Sequence, residues 1–213
     1  MQLNQYIDHT LLKPTATETD IKLLCKEALQ YSFYAVCVNS SFVTLAVSEL
    51  QNTSVKVAVV IGFPLGAMAS EIKIAEAAYC LEQGADEIDM VINLGWFKSG
   101  LYPKVEHEIK NIKSMMGKAT LKVILETCYL SEEEIGQACN LCLNAGADFV
   151  KTSTGFGPEG ATLSAVKRMK DSVGNKAKIK ASGGIRDKAT ALAYIKAGAS
   201  RIGTSSGVQM MAP

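Results

Sequence analysis

The sequence predicts a single-domain α/β protein, a (β/α)8 TIM barrel that spans residues 1–213. Eight short runs rich in Val and Ile alternate with amphipathic segments along the whole chain. Runs that are apolar throughout are typical of parallel strands buried on both faces, with helices as the connections. Eight such units can close into a barrel, and an open, doubly wound sheet is the alternative fold.

The predicted strands and helices alternate in chain order. The eight strand candidates are YIDHT, AVCVN, KVAVVIGF, EIDMVIN, LKVILET, FVKTST, KIKASGG and SRIGTSS. The seven helix candidates are rich in Ala, Leu, Lys and Glu and lie near residues 17–30, 40–51, 68–83, 102–116, 131–145, 159–173 and 187–197. Each strand after the first is therefore expected to follow a helix that packs on the outside of the barrel.

The joints between helices and strands repeat a short glycine motif. It occurs as QGADEI at 83–88, NAGADFV at 144–150 and KAGASRI at 196–202. Gly at such a joint ends a helix by taking a left-handed conformation. The motif indicates an internal repeat of one βα unit.

Composition narrows the class of partner. The chain has 22 basic and 21 acidic residues, so its net charge of +1 creates no field that would attract nucleic acid or an anionic membrane. The first residues, MQLNQYIDHTLL, lack the pattern of a secretory signal, and no segment approaches the roughly 18 apolar residues of a membrane span. We therefore expect a cytoplasmic protein that binds a small molecule, with no nucleic acid and no membrane as partner.

The six cysteines are expected to be reduced thiols. Cys139 and Cys142 form a CxxC pattern, which also occurs in redox and zinc sites. They lie in the helix-like stretch SEEEIGQACNLCLNAGA, where a spacing of three places both on one helix face. No second CxxC and no histidine cluster accompanies them in the sequence, so we expect core packing for this pair and no metal.

Two lysines at the ends of neighbouring strands are the most informative pair in the chain. Lys151 lies in FVKTSTG and Lys180 in KIKASGG, and small hydroxyl and glycine residues follow each. Active-site residues of barrels lie at the carboxyl ends of the strands, and adjacent strands are only about 4.8 Å apart. One ammonium group beside another favours loss of a proton, which makes a lysine nucleophilic towards a carbonyl. The pair predicts Schiff-base chemistry, whereas one such lysine alone is more typical of a surface.

A carboxylate on another strand completes this predicted cluster. Asp89 lies within the apolar run EIDMVIN and is expected to be buried, which requires a cationic partner. Lys151 and Lys180 can supply that charge, and the three residues then form a network for proton transfer. The alternative is a structural ion pair between layers of the barrel. The neighbouring Asp86 and Glu87 are interpreted as ordinary charges at the helix exit or strand entry.

Glycine and serine residues gather at the ends of the last three strands. Their backbone amides and hydroxyl groups can surround an anion without a fixed positive charge, and barrels commonly bind phosphate after their last two strands. The group therefore predicts a phosphorylated substrate, although each glycine alone is more typical of a turn. Its members are Gly155, Gly183, Gly184, Gly203, Ser205 and Ser206.

Together these motifs resemble the deoxyribose-phosphate aldolase family. The likeness covers nearly the whole chain, through YIDHTLLKP, VCVN, GFPLGA, GADEIDMVIN, GADFVKTSTGF, KASGGIR and RIGTSSGV. It implies a class I aldolase that reversibly cleaves 2-deoxy-D-ribose 5-phosphate to D-glyceraldehyde 3-phosphate and acetaldehyde, in the breakdown of deoxyribose phosphate. It also implies a homodimer that needs no cofactor and no metal.

The resemblance assigns roles to individual residues. It makes Lys151 the Schiff-base nucleophile, Lys180 the neighbouring acid that perturbs it, and Asp89 a participant in proton transfer. Asp8 and Thr10 match the substrate-side motif of the first strand.

Cys37, in VCVN at the end of the second strand, is a candidate for lining the aldehyde pocket, and a buried packing thiol is the alternative. Some family members continue into a tail that ends in tyrosine, whereas this chain ends at SSGVQMMAP, so that the tail is either dispensable here or its absence impairs turnover. Two other functions stay open: a Schiff-base aldolase for a phosphorylated keto sugar, and a phosphosugar-binding barrel without catalysis.

Overall fold

The structure, a computed structural model, describes residues 2–211 and contains a closed barrel of eight parallel strands. Residues 1, 212 and 213, at the limits of the predicted domain, lie outside the described residues. Because β8 pairs with both β7 and β1, the sheet has no free edge. The predicted barrel is confirmed, and the open-sheet alternative is wrong. The strands are β1 (Ile7–Thr10), β2 (Ala35–Asn39), β3 (Lys56–Ile61), β4 (Glu87–Val91), β5 (Thr120–Ile124), β6 (Phe149–Lys151), β7 (Lys178–Ser182) and β8 (Arg201–Thr204).

Helices connect the strands and surround the barrel. In the described part of the chain they are α1 (Glu18–Gln30), α2 (Val43–Glu49), α3 (Ser70–Glu82), α4 (Leu94–Lys98), α5 (Tyr102–Met115), α6 (Glu132–Asn144), α7 (Leu163–Val173), α8 (Lys188–Lys196) and α9 (Gly207–Met211). The sequence does not predict α4 and α9, because helices of five residues are too short to show a periodic pattern. Across residues 2–211, no helix combines the length and apolar character needed to cross a membrane.

Polar caps define where several helices begin. Thr17 precedes α1, and its hydroxyl accepts a hydrogen bond from the Asp20 amide at 3.3 Å while the Asp20 carboxylate accepts one from the Thr17 amide at 2.8 Å. Ser131 and Glu134 form the same capping box at the start of α6. Such a box satisfies backbone N–H groups that have no partner within the helix.

The repeated glycine joints have the conformation that the sequence predicts. Gly84, Gly146 and Gly198 have φ angles of 98°, 81° and 119°, on the positive side that favours glycine. Each follows the last turn of a helix and directs the chain back towards the barrel.

The apolar residues form two clusters on opposite faces of the sheet. The larger lies between the outer face of the barrel and the helices, and it includes Cys139 and Cys142 of α6. Burial there raises the pKa of Cys139 to about 12. The smaller cluster lines part of the barrel interior beside β2 and β3 and consists of Leu12, Cys37, Ala58 and Val60, with Phe63 packed against them.

A buried ion pair outside the barrel braces the turn that follows β3. Lys73 of α3 places its Nζ 2.8 Å from Oε2 of Glu108 in α5, and both side chains are fully buried. The Gly62 amide donates a hydrogen bond to Glu76 at 2.9 Å. A Cβ atom at Gly62 would lie 2.8 Å from Lys73 Cε, so glycine permits the close approach of this turn to α3. The turn carries Phe63 to the mouth of the barrel.

The cap of α6 gives a testable contribution to stability. Ser131→Ala should lower the free energy of unfolding by about 1 kcal/mol, because an amide at the helix start loses its acceptor. Urea denaturation measures the change. Ser114→Ala is the matched control, since this exposed hydroxyl bonds only to the Lys110 carbonyl within α5. An equal effect of both substitutions would contradict the capping role.

Candidate active site

Seven charged side chains fill the polar part of the barrel interior, and we call them the interior cluster. Each of them has at most 6% of its surface exposed. Four are cations and three are carboxylates, so the fully ionised cluster carries one positive charge in excess. Its members are Asp8, Glu87, Asp89, Lys122, Lys151, Lys180 and Arg201.

Asp89 is the centre of the cluster. Its Oδ2 accepts hydrogen bonds from Lys151 and from Lys180, each with an N–O distance of 2.8 Å. Its Oδ1 accepts a third from Lys122 at 2.7 Å. The strand register explains the convergence, because Lys151 on β6 lies directly beside Lys180 on β7. The structure therefore places the three predicted residues in direct contact, with the two lysine nitrogens on one carboxylate oxygen.

The remaining members form a second layer at the amino-terminal end of the barrel. Asp8 pairs with Lys180 and accepts a hydrogen bond from Arg201 at 2.9 Å. Glu87 pairs with Lys122 and lies 3.3 Å from Arg201. The interpretation of Glu87 as an ordinary strand-entry charge is wrong, because this side chain is only 3% exposed and has two cationic partners.

The sequence contained a signal for one residue of this second layer, Glu87. Glu87 stands two residues before Asp89, so strand alternation places both on the same face. Arg201 on β8 lies beside Lys180 on β7, and its guanidinium stacks 3.2 Å from the centroid of the Tyr34 ring. Lys122 is hidden in the run LKVILET, whose inward face the sequence alone does not identify.

The mutual attraction of these charges outweighs the free-energy cost of removing them from water. Burial by itself would raise the pKa of Asp89, but Lys122, Lys151 and Lys180 hold that pKa well below its usual value. Burial would likewise lower the pKa of Lys180, but Asp8 and Asp89 hold it well above the usual value. Asp89 is therefore a carboxylate, and Lys180 an ammonium group, at neutral pH.

A cavity of about 280 Å³ opens above the cluster at the carboxyl ends of β1, β6, β7 and β8. Lys151 reaches its wall, and Lys13 and Arg186, which the sequence analysis did not single out, add two cationic side chains. The predicted residues that line it are Thr10, Lys151, Gly155, Gly183, Gly184, Gly203 and Ser205.

Other predicted residues lie away from the cavity wall. Asp8, Asp89 and Lys180 are fully buried beneath it. Cys37 is fully buried in the apolar interior cluster, where burial raises the pKa of its thiol. Ser206 lines a separate groove between α1 and α9. Asp8, Asp89, Lys180 and Cys37 can therefore act through the residues that they contact, because none of them forms part of the cavity wall.

Glycine conformations shape the cavity wall. Gly155, Gly183 and Gly184 have φ angles of 85°, 85° and 78°. A Cβ atom on Gly183 would lie 2.8 Å from the Cα of Gly160. Backbone therefore packs against backbone where the loops after β6 and β7 meet, and main-chain groups rather than side chains face the cavity.

Glu126 fixes the start of the loop after β6. This residue has a φ of 53°, which is uncommon for any residue other than glycine, and its carboxylate is buried. The carboxylate accepts hydrogen bonds from the amide of Thr154, at 3.1 Å, and from the hydroxyl of the same residue. Burial raises the pKa of Glu126 despite these bonds. The contact anchors the segment that connects Lys151 to Gly155.

Two aromatic rings join opposite loops across the mouth of the barrel. Phe63 follows β3, Phe156 follows β6, and their ring centroids lie 5.3 Å apart in an edge-to-face arrangement. Phe156 is half exposed and lines the cavity. The pair links the loop after β3 to the loop after β6 at the mouth of the barrel. We call it the aromatic bridge.

Known proteins are similar to this chain in both sequence and fold. The sequence model of the DeoC/LacD aldolase family matches residues 3–211 of this chain. A deoxyribose-phosphate aldolase from Carboxydothermus hydrogenoformans is 54% identical, over 99% of this chain and 94% of its own length. One from Thermococcus gammatolerans is 55% identical, over 99% of this chain and 96% of its own. A solved structure, the tetrameric deoxyribose phosphate aldolase from Aeropyrum pernix, is 36% identical and has a TM-score of 0.91, covering 98% of this chain and 88% of that one.

The interior cluster predicts unequal effects at two adjacent acids. Glu87→Gln should lower the free energy of unfolding by about 3 kcal/mol, because Lys122 and Arg201 lose a buried carboxylate. Asp86→Asn is the matched control: its partner Lys56 is 46% exposed, and the change should be below about 1 kcal/mol. Denaturant unfolding measures both. A cost for Glu87→Gln no larger than that for Asp86→Asn would contradict the description of the cluster.

The cluster also predicts how stability depends on pH. Because the pKa of Asp89 is depressed below its ordinary 3.8, its contribution is complete above that value and is lost as pH falls through the folded-state pKa. Because the pKa of Lys180 is raised above 10.5, its contribution is complete below that value and is lost as pH rises through the folded-state pKa. Denaturation at a series of pH values should show a shallower acid decline in Asp89→Asn than in the parent protein. Equal acid slopes would contradict the depressed pKa.

Proposed function

The chain belongs to the DeoC/LacD aldolase family, and on that basis we propose that it reversibly cleaves 2-deoxy-D-ribose 5-phosphate to D-glyceraldehyde 3-phosphate and acetaldehyde through a Schiff base at Lys151. Relatives that are more than half identical over nearly the whole chain carry the name of this activity. The proposal includes a place in the breakdown of deoxyribose phosphate.

The observation that carries the proposal is the position of Lys151. Of the seven side chains in the interior cluster, as the structure describes it, Lys151 alone lines the cavity. Its Nζ shares Asp89 Oδ2 with Lys180, which is fully buried. A reactive amine that faces a ligand, with a fixed ammonium group behind it, is the arrangement that Schiff-base chemistry needs.

Charge balance supports Lys151 as the amine that becomes neutral. The cluster contains one cation more than its carboxylates can neutralise. Lys122 contacts three carboxylates, and Lys180 and Arg201 contact two each, whereas Lys151 contacts Asp89 only. Loss of its proton therefore forfeits the least electrostatic attraction. When the iminium ion forms, positive charge returns to the same position beside Asp89.

The reaction follows from a neutral amine at this position. Lys151 attacks the C1 aldehyde of the open-chain sugar, and loss of water from the carbinolamine gives an iminium ion. The C2–C3 bond then breaks, its electron pair moves towards the iminium nitrogen, and the C3 hydroxyl loses its proton to become the aldehyde of D-glyceraldehyde 3-phosphate. The remaining enamine takes up a proton at C2. Hydrolysis releases acetaldehyde and the free amine.

Asp89 and Lys180 hold and move the protons in this scheme. The Asp89 carboxylate contacts both nitrogens and stabilises the iminium charge at Lys151. Lys180 is the neighbouring acid, and protons pass between the two lysines through their shared oxygen or through water. Asp8 lies behind Lys180 and keeps it charged rather than touching the sugar. Cys37 belongs to the buried apolar wall near the donor aldehyde.

The loops after β6, β7 and β8 provide the phosphate site. Main-chain groups at Gly155, Gly183 and Gly184 surround the open part of the cavity, and Lys13 and Arg186 add positive charge. Gly203 and Ser205 complete the wall, and Thr10 borders it from β1.

Two further expectations concern the location and the assembly of the protein: the first rests on the sequence and the second on the family. We expect a cytoplasmic homodimer, whereas the Aeropyrum pernix relative is described as tetrameric. Light scattering of the purified protein distinguishes the two assemblies.

Chemical trapping tests the central step. Reduction with borohydride in the presence of acetaldehyde should attach an ethyl group to Lys151, which peptide mass spectrometry detects. Lys151→Arg should abolish both the label and the cleavage of 2-deoxy-D-ribose 5-phosphate, while a chelator should leave the rate unchanged. Lys56→Arg is the control, because this lysine is exposed and lies at the first residue of β3, at the end of the barrel opposite the cavity.

The same experiment separates the alternatives. No label in the presence of either acetaldehyde or the phosphorylated sugar would favour a binding barrel without catalysis. A label with phosphorylated keto sugars but not with acetaldehyde would favour the other aldolase. A label on a different lysine would refute the role of Lys151.

A further inference from the structure

A buried hydroxyl group in the cavity wall has no partner among the described residues. Ser182 is 6% exposed, lines the cavity, and its Oγ makes no hydrogen bond. Its backbone, by contrast, is held on β7 by Thr152, whose hydroxyl accepts a bond from the Ser182 amide at 3.1 Å. A buried polar group without a partner destabilises the fold, so such a group at a binding cavity indicates a ligand atom.

The other hydroxyl groups of the cavity are already engaged or open to solvent. Thr10 donates to the Asp8 carbonyl at 2.8 Å, and Thr204 donates to the Ile185 carbonyl at 2.7 Å. The Thr154 hydroxyl donates to Glu126. Ser205 is exposed. Ser182 is therefore the hydroxyl group of this wall that is both buried and free for a ligand.

The glycine on the next strand keeps this hydroxyl uncovered. Gly203 on β8 pairs with Ser182 on β7. A Cβ atom on Gly203 would lie 2.8 Å from Ser182 Oγ and 3.0 Å from Lys180 Cε. Any side chain at position 203 would thus occupy the space in front of the serine hydroxyl, and glycine leaves that space to a ligand.

The position of Ser182 along β7 determines which part of a ligand its hydroxyl group can contact. Ser182 follows Lys180 by two residues on the same face of β7, about 6.6 Å further along the strand. Gly183 and Gly184, which line the proposed phosphate site, follow it directly. The hydroxyl lies between the level of the reacting amine and the level of the phosphate, next to the latter.

We propose that Ser182 Oγ is the hydrogen-bond partner of the C4 hydroxyl of 2-deoxy-D-ribose 5-phosphate and makes the enzyme select acceptor aldehydes that carry this hydroxyl. This proposal rests on the proposed function. With C1 joined to Lys151 and the phosphate on C5, C4 is the hydroxyl-bearing carbon nearest to the phosphate. In the direction of synthesis, the same group is the 2-hydroxyl of D-glyceraldehyde 3-phosphate.

Two acceptors that differ in this hydroxyl test the proposal. The parent protein and Ser182→Ala are assayed with acetaldehyde as donor and with either D-glyceraldehyde 3-phosphate or 3-oxopropyl phosphate, which lacks the 2-hydroxyl, as acceptor. Ser182→Ala should lower kcat/KM about tenfold for the hydroxylated acceptor and less than about twofold for the other. An equal loss for both acceptors, or no loss for either, would overturn the proposal.

Ser153→Ala is the matched control. Its hydroxyl is also buried and without a partner, but Ser153 does not line the cavity, so its removal should leave the acceptor ratio unchanged. A change in that ratio equal to the change in Ser182→Ala would also overturn the proposal. Ser182→Cys keeps nearly the same volume with a weaker donor and should shift the ratio in the same direction if the alanine variant does not fold.

Labelling of Lys151 keeps the two hypotheses apart. Ser182→Ala should still form the borohydride-reducible adduct with acetaldehyde, since the donor does not reach the C4 position. Failure of the parent protein to form the adduct refutes the proposed function, whereas an unchanged acceptor ratio in a labelled Ser182→Ala refutes only the role of the serine.

Discussion

The convergence of three lysine side chains on one carboxylate constrains the rest of the barrel. Asp89 is fully buried, and it is stable there only because Lys122, Lys151 and Lys180 surround it. These side chains come from β4, β5, β6 and β7, so the register of four successive strands must be kept for the contacts to form. A shift of one residue in any of them would turn its charge towards the apolar shell outside.

The interior is divided between this charged part and the apolar wall of β2 and β3. The division gives the proposed reaction two environments within one barrel interior. Charges beside Lys151 stabilise an iminium ion, while the wall around Cys37 and Val60 presents no charged side chain to the small aldehyde. Asp8 and Arg201 complete the charge network below, where a ligand in the cavity does not reach them.

The sequence predicted the parts of this protein that depend on local pattern. Eight apolar runs and the glycine joints were sufficient for the barrel, and the matched strand ends brought Lys151, Lys180 and Asp89 together. It did not identify the layer of Glu87 and Arg201, because charges at strand starts usually lie in solvent, and their burial depends on which face of the strand closes inward. Contacts between distant loops, such as the aromatic bridge and the approach of Lys13 and Arg186 to one cavity, depend on the closed geometry and leave no pattern in the chain.

The aromatic bridge lies where the apolar wall meets the cavity of the proposed reaction, and the position of that cavity has a consequence for the order of release. Phe63 packs against the apolar wall and Phe156 lines the cavity, which opens at the carboxyl ends of β1, β6, β7 and β8. In the proposed reaction, the sugar occupies this cavity with its phosphate at the loops after β6, β7 and β8 and its aldehyde end at Lys151. The three-carbon product must depart first, because it stands between the enamine and bulk solvent. Only then can water reach the carbon that remains on the lysine, so that the two-carbon fragment is always the last to leave and, in synthesis, the first to bind.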